Sequence, residues 1–200
     1  MGKLKLKSKH RLLCGDSTSE DDVARLMDGE KIESVVTDPP YGMDAVKNSG
    51  VLKEKYRDVA GDDSIDVAVK SFKLIDDNIP QICWLVWDKN NGGSDQMDCE
   101  LAWTNLKGVT RQFTQASEKT GRIHPTQKPV KLVCWCIEKM DAKVVLDLFL
   151  GSGATLIACE QLNRQCYGLE IDPLYCDVVV KRWENLTGET AHLESVAPTK

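Results

Sequence analysis

Asp38-Pro39-Pro40-Tyr41 is the first group of residues able to do chemistry. It follows a short apolar run, Ser34-Val35-Val36-Thr37, and precedes Gly42. Two prolines stiffen the backbone and donate no hydrogen bond, so the carbonyls of this turn are left to point outward. Asp38 adds an ionised acceptor and Tyr41 an aromatic face. An amine on an aromatic ring is a poor nucleophile because its lone pair is delocalised. Acceptors aimed at its two hydrogens, here the Asp38 carboxylate and the Pro39 carbonyl, would favour a pyramidal nitrogen in a transition state. Asp-Pro is also a good turn starter, so an ordinary strand-ending turn is the other reading of these residues alone.

A second group is Asp147-Leu148-Phe149-Leu150-Gly151-Ser152-Gly153-Ala154-Thr155, an apolar run entering a Gly-x-Gly turn and then a helical pattern. Glycines there let a ligand approach the backbone closely. Glu170 ends the next apolar run, where an acid can accept from ribose hydroxyls. Leu156 stands where a dinucleotide fingerprint would place its third glycine, which favours a nucleoside cofactor without a pyrophosphate. The third group, His124-Pro125-Thr126-Gln127-Lys128-Pro129, directly precedes a helical pattern. Pro129 suits a first helical position and Lys128 could meet a carboxylate or a phosphate. By itself this segment reads equally well as a capped loop.

The elements that must hold these groups alternate. Apolar runs at Arg11 to Cys14, Ser34 to Thr37, Ile82 to Trp87, Val144 to Phe149 and Gln165 to Leu169 each end in acidic or turn residues, as buried parallel strands do. Between them the pattern predicts helices over Ser19 to Met27, Ile65 to Asp76, Pro129 to Met140, Ala154 to Leu162 and Pro173 to Leu186. The expected fold class is α/β, a mostly parallel sheet with helices on both faces. Gly42 to Asp63 and Gly108 to Arg122 lack an apolar period and read as long loops, and residues 187–200 read as a flexible tail.

Two hundred residues, 42% hydrophobic, suffice for one core and make a single domain over 1–186 the expectation. No apolar run approaches the ~20 residues of a membrane span, so a soluble, cytoplasmic protein is expected. The eight cysteines form no Cys-x-x-Cys pair, and Cys134 and Cys136 would face different sides of a helix, so reduced thiols and no metal are expected. The formal charge of -5 argues against sequence-blind binding to nucleic acid. Basic residues nevertheless cluster: Lys3, Lys5, Lys7, Lys9 and Arg11; Lys47, Lys53, Lys55 and Arg57; and Arg111, Lys119, Arg122, Lys128 and Lys131. Solvated surface lysines are the bland account of each cluster.

Taken in order, these motifs resemble the beta-class DNA amino-methyltransferases of bacteria and phages, whose catalytic motif precedes the cofactor motif in a circularly permuted order. The likeness covers roughly residues 10 to 186. It implies a Rossmann-like methyltransferase fold and S-adenosylmethionine as cofactor. Asp38, Pro39, Pro40 and Tyr41 match the catalytic tetrad, with Tyr41 stacking on a base flipped out of double-stranded DNA. Phe149, Gly151, Ser152 and Gly153 match the cofactor loop, Asp147 its strand, Glu170 the ribose ligand, and His124, Thr126 and Lys128 the segment beside the methionine moiety. Asp16, in Gly15-Asp16-Ser17, matches the aspartate that contacts the cofactor's adenine ring, and Asp38 is implied at the cofactor as well.

An aspartate opening the tetrad tilts the substrate towards the N6 amine of adenine. Cytosine N4 and a non-catalytic subunit of the same fold are the alternatives. The loop 42–63, with Lys47, Lys53, Lys55 and Arg57, is expected to close over DNA, and Arg111, Lys119 and Arg122 to contact it. Relatives place target recognition ahead of the His-Pro-Thr segment, where this chain offers only the short stretch 108–122. A short or relaxed site, a homodimer or specificity-providing partner, or lost activity would each follow from that. Restriction-modification, regulation and evasion of phage defence all employ this chemistry.

Overall fold

A computed structural model describes residues 3–5, 10–40, 42, 60, 62–75, 83–92, 98–116, 123–124 and 126–194. Six strands join in one sheet in the order β3-β7-β8-β2-β1-β9. These are β1 (Lys3–Lys5), β2 (Arg11–Cys14), β3 (Ser34–Val35), β7 (Val144–Asp147), β8 (Gln165–Glu170) and β9 (His192–Glu194). The first four in that order run parallel, and β1 is antiparallel to both β2 and β9. A three-stranded sheet holds β4 (Cys83–Asp88) between an antiparallel β5 (Cys99–Thr104) and a parallel β6 (Arg111–Thr114).

Five helices are described. They are α1 (Glu20–Met27), α2 (Asp66–Lys73), α3 (Val130–Ile137), α4 (Ala154–Gln161) and α5 (Pro173–Thr187). Ser19 caps α1 by accepting from the Asp22 amide, and Glu20, Asp21 and Asp22 place negative charge at its positive end. Asp172 caps α5 by accepting from the Leu174 amide, Pro173 sits in its first turn, and Gly188 closes it in the left-handed conformation.

Side chains of both sheet faces are buried. On one face Leu12, Val145 and Cys166 pack with Val133 and Ile137 of α3, Leu156 to Cys159 of α4, and Val179 and Trp183 of α5. On the other, Leu13, Leu146, Tyr167 and Leu169 pack with Leu26 of α1 and neighbouring Val23, Met27 and Ile75. Helices on both faces of a largely parallel sheet are the α/β class expected. His10 pins the first face from beneath: it accepts from the Cys166 amide at Nδ1 (2.9 Å), which leaves Nε2 to donate to Glu160 (2.8 Å). Glu160 also accepts from the Trp183 indole (2.8 Å), so β2, β8, α4 and α5 meet at one buried polar knot.

Two expectations are corrected. The stretch 108–122 is not all loop, because Arg111–Thr114 pairs with β4. The segment after 187 is not all tail, because His192–Glu194 pairs with β1. Both strands are short and mostly exposed, so partner strands rather than an apolar period create them. Among the described residues no helix is long and apolar enough to cross a membrane.

Candidate active site

Because β2, β3, β7 and β8 run parallel, their carboxyl ends lie along one sheet edge. Gly15-Asp16, Thr37-Asp38, Asp147 and Glu170 are delivered there.

The turn from β7 into α4 is built around Gly151 (φ 52) and Gly153 (φ 85). Both are left-handed conformations that a side chain disfavours. Glu170 ties this turn down from the next strand. Its two oxygens accept from the Gly151 amide (2.7 Å) and the Asp172 amide (2.9 Å). Its burial raises the carboxyl above the ordinary range, and the two amides oppose that rise. The Glu170 carbonyl also receives the Gly15 amide (3.0 Å), so the acid's strand organises the turns after both β2 and β7.

Asp147 ends β7 fully buried and accepts from the Thr37 hydroxyl (2.7 Å) and the Phe149 amide (3.1 Å). Burial pushes its carboxyl up to about 6, although hydrogen bonds from Thr155, Thr37 and Phe149 pull the other way. Through Thr37 this acid fastens the residue immediately ahead of Asp38 to the neighbouring strand. Asp16 holds its own turn, accepting from both the amide and the hydroxyl of Thr18 at 2.8 Å. Buried Ser17 next to it takes a hydrogen bond from Ser71 of α2 (2.9 Å).

His124 stands against the glycine turn, where a Cβ on Gly151 would lie 3.7 Å from its Nε2. Its Nδ1 accepts from the Thr126 amide (3.3 Å), and its ring packs on Tyr175 of α5 with centroids 4.5 Å apart. Burial lowers the imidazole to about 4, so it is neutral near pH 7, with the proton on Nε2. Gln127 accepts from the Ser152 hydroxyl (3.3 Å), and Arg182 donates to the Ser152 carbonyl. The segment around His124 is thereby laid over the turn that holds Phe149, Gly151, Ser152 and Gly153.

Asp38 is the acid at this edge that carries an ammonium. Lys128 Nζ lies 2.6 Å from its Oδ2 and 3.0 Å from Oε2 of Glu100, while Lys89 Nζ lies 2.6 Å from Oε1 of Glu100. Burial lowers the Lys128 ammonium, and Asp38 and Glu100 together outweigh burial and raise it above an ordinary lysine. Pro39 is buried behind Asp38, and Pro40 is half-buried.

Of the expected site residues, Asp16, Asp38, Pro39, Pro40, His124, Thr126, Lys128, Asp147, Phe149, Gly151, Ser152, Gly153 and Glu170 are described, on or beside this edge. Tyr41, Lys47, Lys53, Lys55, Arg57, Lys119 and Arg122 lie outside the described residues. Arg111 is exposed at the start of β6. Sequence reasoning missed Glu100, Lys89, Thr37 and Tyr175. Only Tyr175 left a signal, an aromatic residue in the first turn of the helix after Glu170.

Comparison with known proteins identifies the family and the fold. The family model for DNA methylases of the N6/N4 type matches residues 51–181, a span that begins after the Asp38 tetrad. The type II methyltransferase M.Cfr9I of Citrobacter freundii is 37% identical over 71 residues, which are 34% of this chain and 23% of that relative. The chain thus matches less than a third of the length of its curated relatives. M1.HpyAVI, solved as a complex with S-adenosylmethionine, superimposes with a TM-score of 0.56 at 22% identity, covering 86% of this chain and 98% of that one. The cytosine-N4-specific PvuII DNA methyltransferase gives 0.52 at 15% identity, covering 88% and 86%. The two structures share the fold, and the family match spans well over half of the sequence: the chain belongs to the N6/N4 DNA methylase family.

Proposed function

We propose that the chain transfers a methyl group from S-adenosylmethionine to the N6 amine of adenine in double-stranded DNA. The observation that carries this reading is the convergence of Asp38, held by an ammonium, with a glycine turn held by Glu170 at one sheet edge. The turn suits a nucleoside cofactor. Gly151 takes the left-handed conformation that the tight turn beside His124 requires, and Glu170 offers a carboxylate with lone pairs beyond those its two amides use. When bound, S-adenosylmethionine supplies an electrophilic methyl group.

The chain's own residues handle the amine. The Asp38 carboxylate and the Pro39 carbonyl each accept one amine hydrogen, localising the lone pair on nitrogen as it attacks. The proton released from the alkylated nitrogen passes to an acceptor at the same edge. Neutral His124, packed on Tyr175 of α5, keeps the turn in place without adding a positive charge of its own beside it. Glu170 and Asp16 would hold the cofactor's nucleoside, and Thr126 and Lys128 belong to the segment that would meet its amino-acid end. DNA contacts fall to Arg111 and to Lys47, Lys53, Lys55, Arg57, Lys119 and Arg122, with a second copy or a partner subunit supplementing the short stretch 108–122.

Adenine rests on the aspartate that opens the tetrad. Cytosine N4 is the second reading, supported by the fold shared with the cytosine-N4-specific PvuII enzyme. The deciding experiment incubates the protein with labelled cofactor and unmethylated duplex DNA, then digests the product to nucleosides, with Asp38→Ala as control. N6-methyladenine made only by the unaltered chain is expected. N4-methylcytosine as sole product overturns the adenine assignment, and cofactor binding without any transfer favours a non-catalytic subunit.

A further inference from the structure

Glu100 has no place in the motifs above, yet it touches the cation that touches Asp38. We propose that Glu100 is a positioning residue of the methyl-transfer site, clamping the Lys128 ammonium against the Asp38 carboxylate and so fixing the acceptor's orientation. The inference rests on the reading of Asp38 as the amine acceptor.

The geometry is a chain of alternating charges: Lys89, Glu100, Lys128, Asp38. Each Glu100 oxygen has its own ammonium, Oε1 with Lys89 at 2.6 Å and Oε2 with Lys128 at 3.0 Å, so the carboxylate cannot turn without losing one. Glu100 stands on β5 opposite Trp87 of β4, and Lys89 lies over the Trp87 ring, 5.2 Å from its centroid. Trp87 is itself buried and donates its indole N–H to the Gln115 carbonyl (2.7 Å). The clamp therefore starts from a rigid core aromatic and ends at the acceptor. It runs between the two sheets, since Asp38 follows β3 of the larger one.

Charge balance explains why an acid is needed at this position. Lys128 is 23% exposed and Lys89 13%, so each ammonium is largely withdrawn from water and must be paired within the protein. With Glu100 present, two cations meet two anions. Without it, Lys89 loses the carboxylate it pairs with and Lys128 keeps Asp38 alone, gaining freedom to swing that carboxylate away from its working direction. Misplacement of a reacting group by an ångström is enough to cost a large rate factor.

The charged groups facing Lys128 are Asp38 after β3, Glu100 on β5, Lys89 after β4 through Glu100, and neutral His124 in its own loop. Removing one of them in each direction gives opposite signs. In the full chain labelled at lysine Cε, NMR titration should show the Lys128 midpoint moved down in Glu100→Gln. It should move up in Lys89→Met, which keeps the contact with Trp87 but leaves Glu100 wholly to Lys128. In the transfer assay at saturating cofactor and DNA, Glu100→Gln should lower kcat between about tenfold and about a hundredfold, with cofactor Kd changed less than about twofold.

A role in folding alone would show the same opposite Lys128 shifts and a lower melting temperature of Glu100→Gln, but an unaltered kcat at saturating cofactor and DNA. Shifts of the same sign, or an unaltered kcat in Glu100→Gln beside an active wild type, overturn this inference alone. A wild-type chain that transfers nothing overturns the proposed function instead. Should Glu100→Gln not fold, Lys89→Met alone decides, because an unmoved or lowered Lys128 midpoint there is sufficient to reject the clamp.

Discussion

Gly153→Ala separates two costs that the glycine turn now avoids. The residue sits at φ 85, and a Cβ built on it would fall 2.9 and 3.0 Å from the two Cγ atoms of Val179 on α5. Left-handed backbone costs an L-residue about 1–2 kcal/mol. Forcing a methyl against a side chain that is 0% exposed adds about 1–3 kcal/mol, because Val179 has no empty space to retreat into. The total of about 2–5 kcal/mol lowers the melting temperature by roughly 4–20 °C in a chain of this size. Val179→Ala alone should cost about 2 kcal/mol by opening a cavity. In the double variant the new methyl enters that cavity, so the steric share vanishes while the backbone share remains. Urea unfolding of the four proteins should therefore give a coupling of about 1–3 kcal/mol in the relieving direction. Gly151→Ala is the internal contrast: its φ is 52 but its nearest neighbour would lie at 3.7 Å, so only the backbone cost of about 1–2 kcal/mol is expected. Costs of Gly153→Ala and Val179→Ala that add to within about 0.5 kcal/mol would refute the clash argument.

Asp38→Ala should retain cofactor binding by calorimetry while losing methyl transfer; equal loss of both would show that its carboxylate serves the cofactor more than the amine. Asp147 should make stability depend on pH. Its carboxyl is raised to about 6 by burial from an ordinary 3.8, so the folded state holds that proton more tightly than the unfolded one. The contribution is present in full below about pH 4 and is lost as pH rises through about 6, amounting to roughly 3 kcal/mol. Asp147→Asn keeps an acceptor for Thr37 and the Phe149 amide and cannot ionise. Its stability relative to wild type should therefore rise between pH 4 and 7, and a flat difference across that range would contradict the burial argument.

The strands that end at the site were legible because buried parallel strands write themselves as apolar runs, and the acids at their ends marked the edge. The starts expected at Ser19 and Pro173 fall within a residue of the observed starts of α1 and α5. The helix ends were less visible: α2 stops at Lys73 and α3 at Ile137, each about three residues short of the expected end, because helix ends depend on local caps more than on period. Strands β5, β6 and β9 went unread for another reason. Arg111–Thr114 carries one apolar residue and His192–Glu194 also one, so nothing local demands a strand there. Their pairing with β4 and β1 supplies the reason, and sequence period carries no record of it. Glu100 was hidden in the same way, since an ion pair between residues 100 and 128 depends on how β5 lies against the loop ahead of α3.

Asp38, Asp147 and Glu170 at one edge would repel each other, and the structure treats them differently. Asp147 and Glu170 take amides and a hydroxyl, which hold turns in place but bring no full positive charge, and burial raises both carboxyls. Asp38 contributes to the rise of Asp147, so its own charge is felt across the edge. It is Asp38 that receives Lys128, and Lys128 that receives Glu100. The division follows the work required. Acids that shape a glycine turn need only fixed donors, whereas on the proposed reading of Asp38 as amine acceptor its carboxylate must stay pointed while substrate comes and goes. An ammonium clamped from its far side supplies that constraint.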